Sequence, residues 1–257
     1  MIRILRHYRI GKRIRIDCPD EHESKMGTPT MGGLMIVVPV VLITVVLNIY
    51  NLMGRTVIGR SILVPLGVMI LYAVIGGIDD LAGVRGVRRG AGLTARRKLK
   101  WEIPVTLGIA TIMLVTDIQF AGQVGVPGVA EMVDIGWLWV PFAALMILGF
   151  ANAVNLTDGL DGLAGIIVAS AFAAYGVIAQ LQGQFYLIRF CFTVVGACFA
   201  FLWYNAHPAQ MFMGDTGSLA LGATLGTVAL MTGRWLLLPV VALIPVAETL
   251  SVIIQVI

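Results

Sequence analysis

Eight apolar stretches of about the length a bilayer requires dominate the chain, at 34–50, 61–78, 103–116, 137–154, 163–181, 186–204, 217–231 and 236–257. The third is the shortest. They are apolar on every face and lack two-residue alternation, so they read as helices rather than barrel strands. The composition agrees: of 257 residues 58% are hydrophobic and only 12% charged. That excludes a disordered chain, a coiled coil and an ordinary soluble enzyme. The 30 glycines suit helices that approach closely in a membrane. Three cysteines without Cys-x-x-Cys spacing suggest neither a disulfide framework nor a thiolate metal site. The expected fold class is all-α, a polytopic transmembrane bundle of about eight spans forming a single domain over 1–257.

The first 33 residues contain no apolar run long enough for a signal peptide or a span. They carry Arg3, Arg6, Arg9, Lys12, Arg13, Arg15 and Lys25. The connection 79–102 carries Arg85, Arg88, Arg89, Arg96, Arg97, Lys98 and Lys100, whereas 117–136 carries none. Basic residues mark the cytoplasmic side, so the tail 1–33 and the connections 79–102, 155–162 and 205–216 are expected there. Those pieces also hold the chain's polar clusters. The chemistry is therefore expected at the cytoplasmic face.

Four clusters stand out. Asp79-Asp80 directly follows an apolar helix, where two carboxylates oppose the helix dipole and repel each other. A divalent cation or nearby basic residues would compensate them; a plain polar cap is the alternative. In the run from Asn152 to Gly162, Asn155, Asp158 and Asp161 recur every three residues and would share one face of a helical turn. Capping alone would explain one such residue, not five polar ones. In the run from Asn205 to Ser218, Asp215 opens a helix whose free N–H groups would suit phosphate oxygens, unless Asp215 is a simple N-cap. Finally, Lys25, Thr28, Pro29, Thr30, Gly32 and Gly33 stand before the first span, where Lys25 could meet an anion or the segment could merely start a helix.

Together these residues offer hard oxygen ligands: Asp79, Asp80, Asp158, Asp161, Asp215 and asparagine side chains. The three histidines, His7, His22 and His207, are not paired at ligand spacing. Oxygen donors favour Mg²⁺ or Mn²⁺ over Zn²⁺. With the arginines and lysines of 85–100 they form equipment for phosphoryl transfer between a lipid and a soluble anionic substrate. The basic stretch would also suit anionic lipid headgroups. A transporter is the rival of another class, but it would place its acids near span midpoints, where only Glu248 lies.

Lys25–Gly33 (KMGTPTMGG), Asp79-Asp80, Asn152–Ala164 (NAVNLTDGLDGLA), Asn205–Gly222 (NAHPAQMFMGDTGSLALG) and Glu248–Val252 (ETLSV) resemble, in order and over the whole chain, the phospho-N-acetylmuramoyl-pentapeptide transferases. The related polyprenyl-phosphate N-acetylhexosamine-1-phosphate transferases share the Asp-Asp and Asp-Gly-Leu-Asp-Gly elements. The Thr-Pro-Thr-Met-Gly-Gly stretch favours the muramoyl-pentapeptide branch. The resemblance implies a multi-pass enzyme of the bacterial inner membrane. It would join UDP-N-acetylmuramoyl-pentapeptide to undecaprenyl phosphate with Mg²⁺, giving lipid I and UMP in peptidoglycan synthesis. It implies Asp215 and Asp158 at the metal, and Asp79 or Asp80 at the attacking lipid phosphate. Asn155 would support the metal and nucleotide-sugar region. Gly159, Leu160, Asp161, Asn205 and Phe212 would lie near the uridine, Lys25 and Thr30 at the same cleft, and Lys98 at phosphate. Membrane lipid is an implied partner, a homodimer is compatible with it, and nucleic acid is not expected. The family has ten spans; one before the basic tail, one after the Glu248 helix and a Pro-Ile-His-His-His stretch lie outside this sequence, so the chain reads as a partial product. Gly83 stands where the family tends to carry a lysine.

Overall fold

The computed structural model describes residues 28–53, 62–85, 92–116, 118–125 and 132–256. Each of the eight apolar stretches is helical within these residues. In chain order the helices are α1 (Leu34–Met53), α2 (Leu63–Arg85), α3 (Ala95–Val115), α4 (Trp139–Thr157), α5 (Leu163–Leu181), α6 (Phe185–Asn205), α7 (Asp215–Met231), α8 (Leu238–Val241) and α9 (Leu243–Val256). A two-residue antiparallel ribbon, Gln123–Val124 with Val133–Asp134, lies between α3 and α4.

Among the described residues four helical segments are long and apolar enough to cross a membrane: Leu63–Val84, Gly136–Thr157, Leu163–Leu181 and Phe185–Asn205. The last apolar stretch is broken. Trp235–Val241 and Leu243–Gln255 meet at 83° and together would make a fifth span. The other stretches differ for local reasons. In α1 the apolar part, Leu34–Ile49, is short. The first turns of α3 carry Arg96, Arg97, Lys98 and Lys100. Helix α7 has 17 residues, and from Thr216 to Met231 all of them are buried. It is the axis of the bundle, flanked by α2 and α4 as its main neighbours.

Small residues make that central position accessible. A Cβ at Gly222 would run into the Phe150 carbonyl of α4, and one at Gly76 would collide with the main chain of Asp215. Here glycine gives direct backbone approach, as membrane helix packing exploits. Around this axis pack fully buried large side chains, among them Tyr72, Trp139, Ile147, Phe172, Tyr175 and Phe201.

Two expectations about boundaries are corrected. Helix α2 does not stop before Asp79 but continues to Arg85. Helix α3 begins at Ala95, so much of the expected loop 79–102 is helical. In both cases the polar residues find partners inside the bundle, and a helix need not end where its apolar run does. Glu102 shows this: it is 0% exposed, and its Oε2 accepts a hydrogen bond from Asn152 Nδ2 at 2.9 Å.

Candidate active site

The alternating course of the helices brings the C-terminal ends of α2, α4 and α6 and the N-terminal ends of α3, α5 and α7 to one end of the bundle. Most of the sequence-predicted site residues that are described lie there. Lys25 falls outside the described residues.

At the centre is Lys98, in the first turns of α3 and largely buried. Its Nζ donates to Asp215 Oδ2 at 2.6 Å and stands 3.6 Å from Asp79 Oδ2. Asn155, near the end of α4, closes the arrangement. The Ser218 hydroxyl gives its single proton to the Gly214 carbonyl at 3.1 Å, so it accepts from Asn155 Nδ2 at 2.9 Å. The same amide nitrogen reaches Asp215 Oδ1 at 3.1 Å, while Asn155 Oδ1 accepts from Lys98 Nζ at 2.8 Å. One ammonium thus sits among oxygens of α2, α4 and α7. Burial alone would lower the Lys98 pKa. The Asp215 carboxylate more than offsets this, with Asp79 and Glu102, and holds it above the usual lysine value.

The two adjacent aspartates have separate roles. Asp79 faces Lys98 and also accepts from the Leu93 amide. Asp80 turns to the start of α7: its Oδ1 accepts from the Asp215 amide at 3.1 Å, and its Oδ2 from the Thr216 amide at 3.0 Å and the Thr216 hydroxyl at 2.6 Å. This is an N-cap supplied by another helix, a carboxylate at the positive end of the dipole. The expectation that the α7 amides are free for phosphate is therefore corrected, because Asp80 holds the first two and the Gly214 carbonyl accepts from the Gly217 and Ser218 amides. Gly214 precedes α7 with φ +72°, a conformation that favours glycine, and a Cβ there would meet Asp80 Oδ2 at 2.6 Å and Thr30 Oγ1 at 2.7 Å. Thr30, almost buried, is thus at this junction.

The Asn155–Asp158–Asp161 series does not share one helix face. Helix α4 ends at Thr157, and Asp158 is its C-cap residue, its amide bonded to the Val154 and Asn155 carbonyls. Gly159 and Leu160 are exposed in the turn that follows, and Gly162, at φ +77°, starts α5. The end of α4 before Asp158 thus breaks the three-residue rhythm. Asn155 joins Lys98 and Ser218, whereas Asp161 Oδ2 takes the His207 ring at 3.1 Å and the Ala209 amide at 3.3 Å. Asn205, 3% exposed, ties this turn to the segment before α7, accepting from the Gly162 amide at 3.0 Å and donating to the Met211 carbonyl at 2.9 Å. Phe212 is anchored through its main chain, its amide to the Pro29 carbonyl and its carbonyl from the Gly32 amide.

Sequence reading missed Glu102. The available signal was an acid four residues after Lys98 at the edge of an apolar run. Among the described residues no three His, Cys, Asp or Glu side chains converge into a metal cage. What converges is a cation among oxygens, with the carboxylates of Asp79 and Asp215 on Lys98. Such a setting can bind and orient phosphate groups and bring charge to bear on them.

Comparison with known proteins adds to this geometry. Residues 62–233 match the family described as Glycosyl transferase family 4. The chain is 49% identical over 261 residues to the phospho-N-acetylmuramoyl-pentapeptide-transferase of Chloroflexus aurantiacus, an alignment spanning 99% of this chain and 69% of that protein. Identity to the protein of the same name from Geobacillus kaustophilus is 44% over 259 residues, spanning 99% of this chain and 76% of the relative. For Bacillus mycoides it is 42% over 257 residues, spanning 100% and 77%.

Proposed function

The chain belongs to the phospho-N-acetylmuramoyl-pentapeptide-transferase family, and on that premise we propose that it transfers phospho-N-acetylmuramoyl-pentapeptide from its UDP derivative to undecaprenyl phosphate. The products are lipid I and UMP. A phosphate oxygen of the lipid bonds to the sugar-linked phosphorus, and the bond from that phosphorus to the bridging oxygen breaks. UMP departs with the bridging oxygen. The observation that carries this reading is the Lys98 ammonium set between Asp79 and Asp215 at one end of an apolar bundle, where a lipid phosphate and a soluble nucleotide can meet. By the distribution of basic residues we place that end at the cytoplasmic face of the bacterial inner membrane.

Each residue then has a task. Asp79, free of the capping role of Asp80, orients the attacking lipid phosphate and holds its proton where one is present. Lys98 neutralises phosphate oxygens as charge shifts toward the leaving UMP. Asn155, itself bonded to Ser218, fixes the Asp215 carboxylate. Asp161 and Asn205 hold the turn containing Gly159 and Leu160 against the segment containing Phe212, a candidate seat for uridine. Thr30, beside Gly214, borders the same cleft. The donors fit Mg²⁺: carboxylate and amide oxygens that already surround one cation, the Lys98 ammonium. Asp215, with Asp158 as the second acid the family resemblance implies, would hold the ion, which would supply charge neutralisation at the diphosphate. Positioning and charge supply most of what phosphoryl transfer needs.

The test is UMP release by the purified chain in detergent with undecaprenyl phosphate and Mg²⁺. Release from UDP-N-acetylmuramoyl-pentapeptide and not from UDP-N-acetylglucosamine supports the proposal. Release from the second alone would make the chain a hexosamine-phosphate transferase. Ion-coupled uptake in proteoliposomes without UMP would make it a transporter.

A further inference from the structure

Among the described residues, one carboxylate oxygen of Glu102 is satisfied by nothing. The residue is 0% exposed, and its Oε1 is buried with no hydrogen-bond partner among the described residues. Its Oε2 is held by Asn152, whose second amide proton goes to the Leu148 carbonyl at 3.0 Å, so Asn152 has nothing left for Oε1. The nearby hydroxyls are committed elsewhere: Thr106 Oγ1 donates to the Glu102 main-chain carbonyl, and Tyr72 lies 2.7 Å from Thr106 Oγ1. A buried acceptor left unmade is costly, more so for a charged group.

Lys98 is one helical turn away on the same face. Side chains at i and i+4 are neighbours, and a lysine stem has the freedom to serve either Asp215 of α7 or Glu102 of its own helix. At present the ammonium sits on Asp215. That position conflicts with any divalent cation using Asp215, since two positive charges would share one carboxylate.

We propose that Glu102 is a positioning residue that gives the Lys98 ammonium a second seat, freeing Asp215 for a divalent cation. The inference rests on the phospho-sugar transfer proposed above. With a cation on Asp215, the Lys98 ammonium would turn toward Glu102 Oε1, which would satisfy the oxygen left without a partner among the described residues. The carboxylate of Glu102 touches no substrate; it acts through Lys98.

The test is a double-mutant cycle on Mn²⁺ affinity, measured by the spin-resonance signal of free Mn²⁺ with the full chain in detergent. Glu102→Gln keeps the shape and the Asn152 contact but removes the anionic seat. It is expected to weaken Mn²⁺ binding on the order of five-fold to ten-fold when Lys98 is present, within the usual range for coupled neighbours, and less than about two-fold in the Lys98→Gln background. Equal weakening in both backgrounds would mean simple through-space attraction and would overturn the proposal. So would an unchanged affinity in Glu102→Gln or an absence of Mn²⁺ binding by the wild type. If Glu102→Gln does not give a monodisperse protein, Glu102→Asp, which withdraws the carboxylate by one methylene, is run through the same cycle with the same Lys98-dependent loss expected. UMP release by the wild type is scored separately, so failure of the cycle with turnover intact removes the second seat and leaves the transferase reading standing.

Discussion

Asp80 caps a helix that begins far along the chain: its Oδ2 accepts from both the amide and the hydroxyl of Thr216, 136 positions later, at 3.0 and 2.6 Å. The neighbouring Asp79 instead faces Lys98. Two adjacent carboxylates are thereby divided between holding the fold and facing the cleft.

Asp80→Ala is expected to destabilise the protein by roughly 1–3 kcal/mol, since buried donors at the start of α7 lose their acceptor. Asp79→Asn is expected to leave the melting temperature near that of the wild type while cutting UMP release. Thermal unfolding in detergent alongside turnover checks both, and a larger stability loss from Asp79→Asn would reverse the division.

Lys98→Met leaves Asp79 and Asp215 without their shared counter-ion and the phosphates without theirs. Turnover should fall by on the order of 10²–10³, the scale for losing one preorganised charge-stabilising group. Lys98→Arg keeps the charge but not the compact ammonium that fits between α2, α4 and α7, so it should recover only part of the rate. Steady-state UMP release decides this; a wild-type rate in Lys98→Met would remove Lys98 from the chemistry.

Asn205→Leu removes the acceptor for the Gly162 amide and the donor to the Met211 carbonyl. The turn carrying Gly159, Leu160 and Asp161 then loses its tie to the segment carrying Phe212. We expect the KM for the UDP-sugar to rise more than kcat falls, because binding geometry is disturbed more than the reacting groups. A fall in kcat at unchanged KM would count against a nucleotide seat there.

Removal of divalent cations with EDTA should stop UMP release, with recovery on adding Mg²⁺ or Mn²⁺, as hard oxygen donors favour them. Asp215→Asn should not recover at any Mg²⁺ concentration, yet should elute as the wild type does. Turnover undiminished in EDTA would exclude a required metal.

Much of the helical framework was legible in the sequence because each stretch is apolar on all faces, a signal independent of tertiary context. The ends were less so. Helix α2 passes through Asp79-Asp80 to Arg85 because their partners, Lys98, Thr216 and the Asp215 amide, come from distant segments. The three-residue spacing of Asn155, Asp158 and Asp161 suggested one face, but the helix ends at Thr157, and the turn that starts at Asp158 takes Asp161 to His207. Glu102 escaped notice because the charged run around it reads as a solvated loop. Only its burial against Asn152 reveals it as an interior acid.

The contact of Gly76 with the main chain of Asp215 has a wider meaning for the cleft. It lies one turn before Asp79, so the gap between the carboxylates of α2 and α7 is gauged by peptide units rather than by flexible side chains. A single methyl group there would act as a wedge, prising the two acids apart without removing a polar atom from the site.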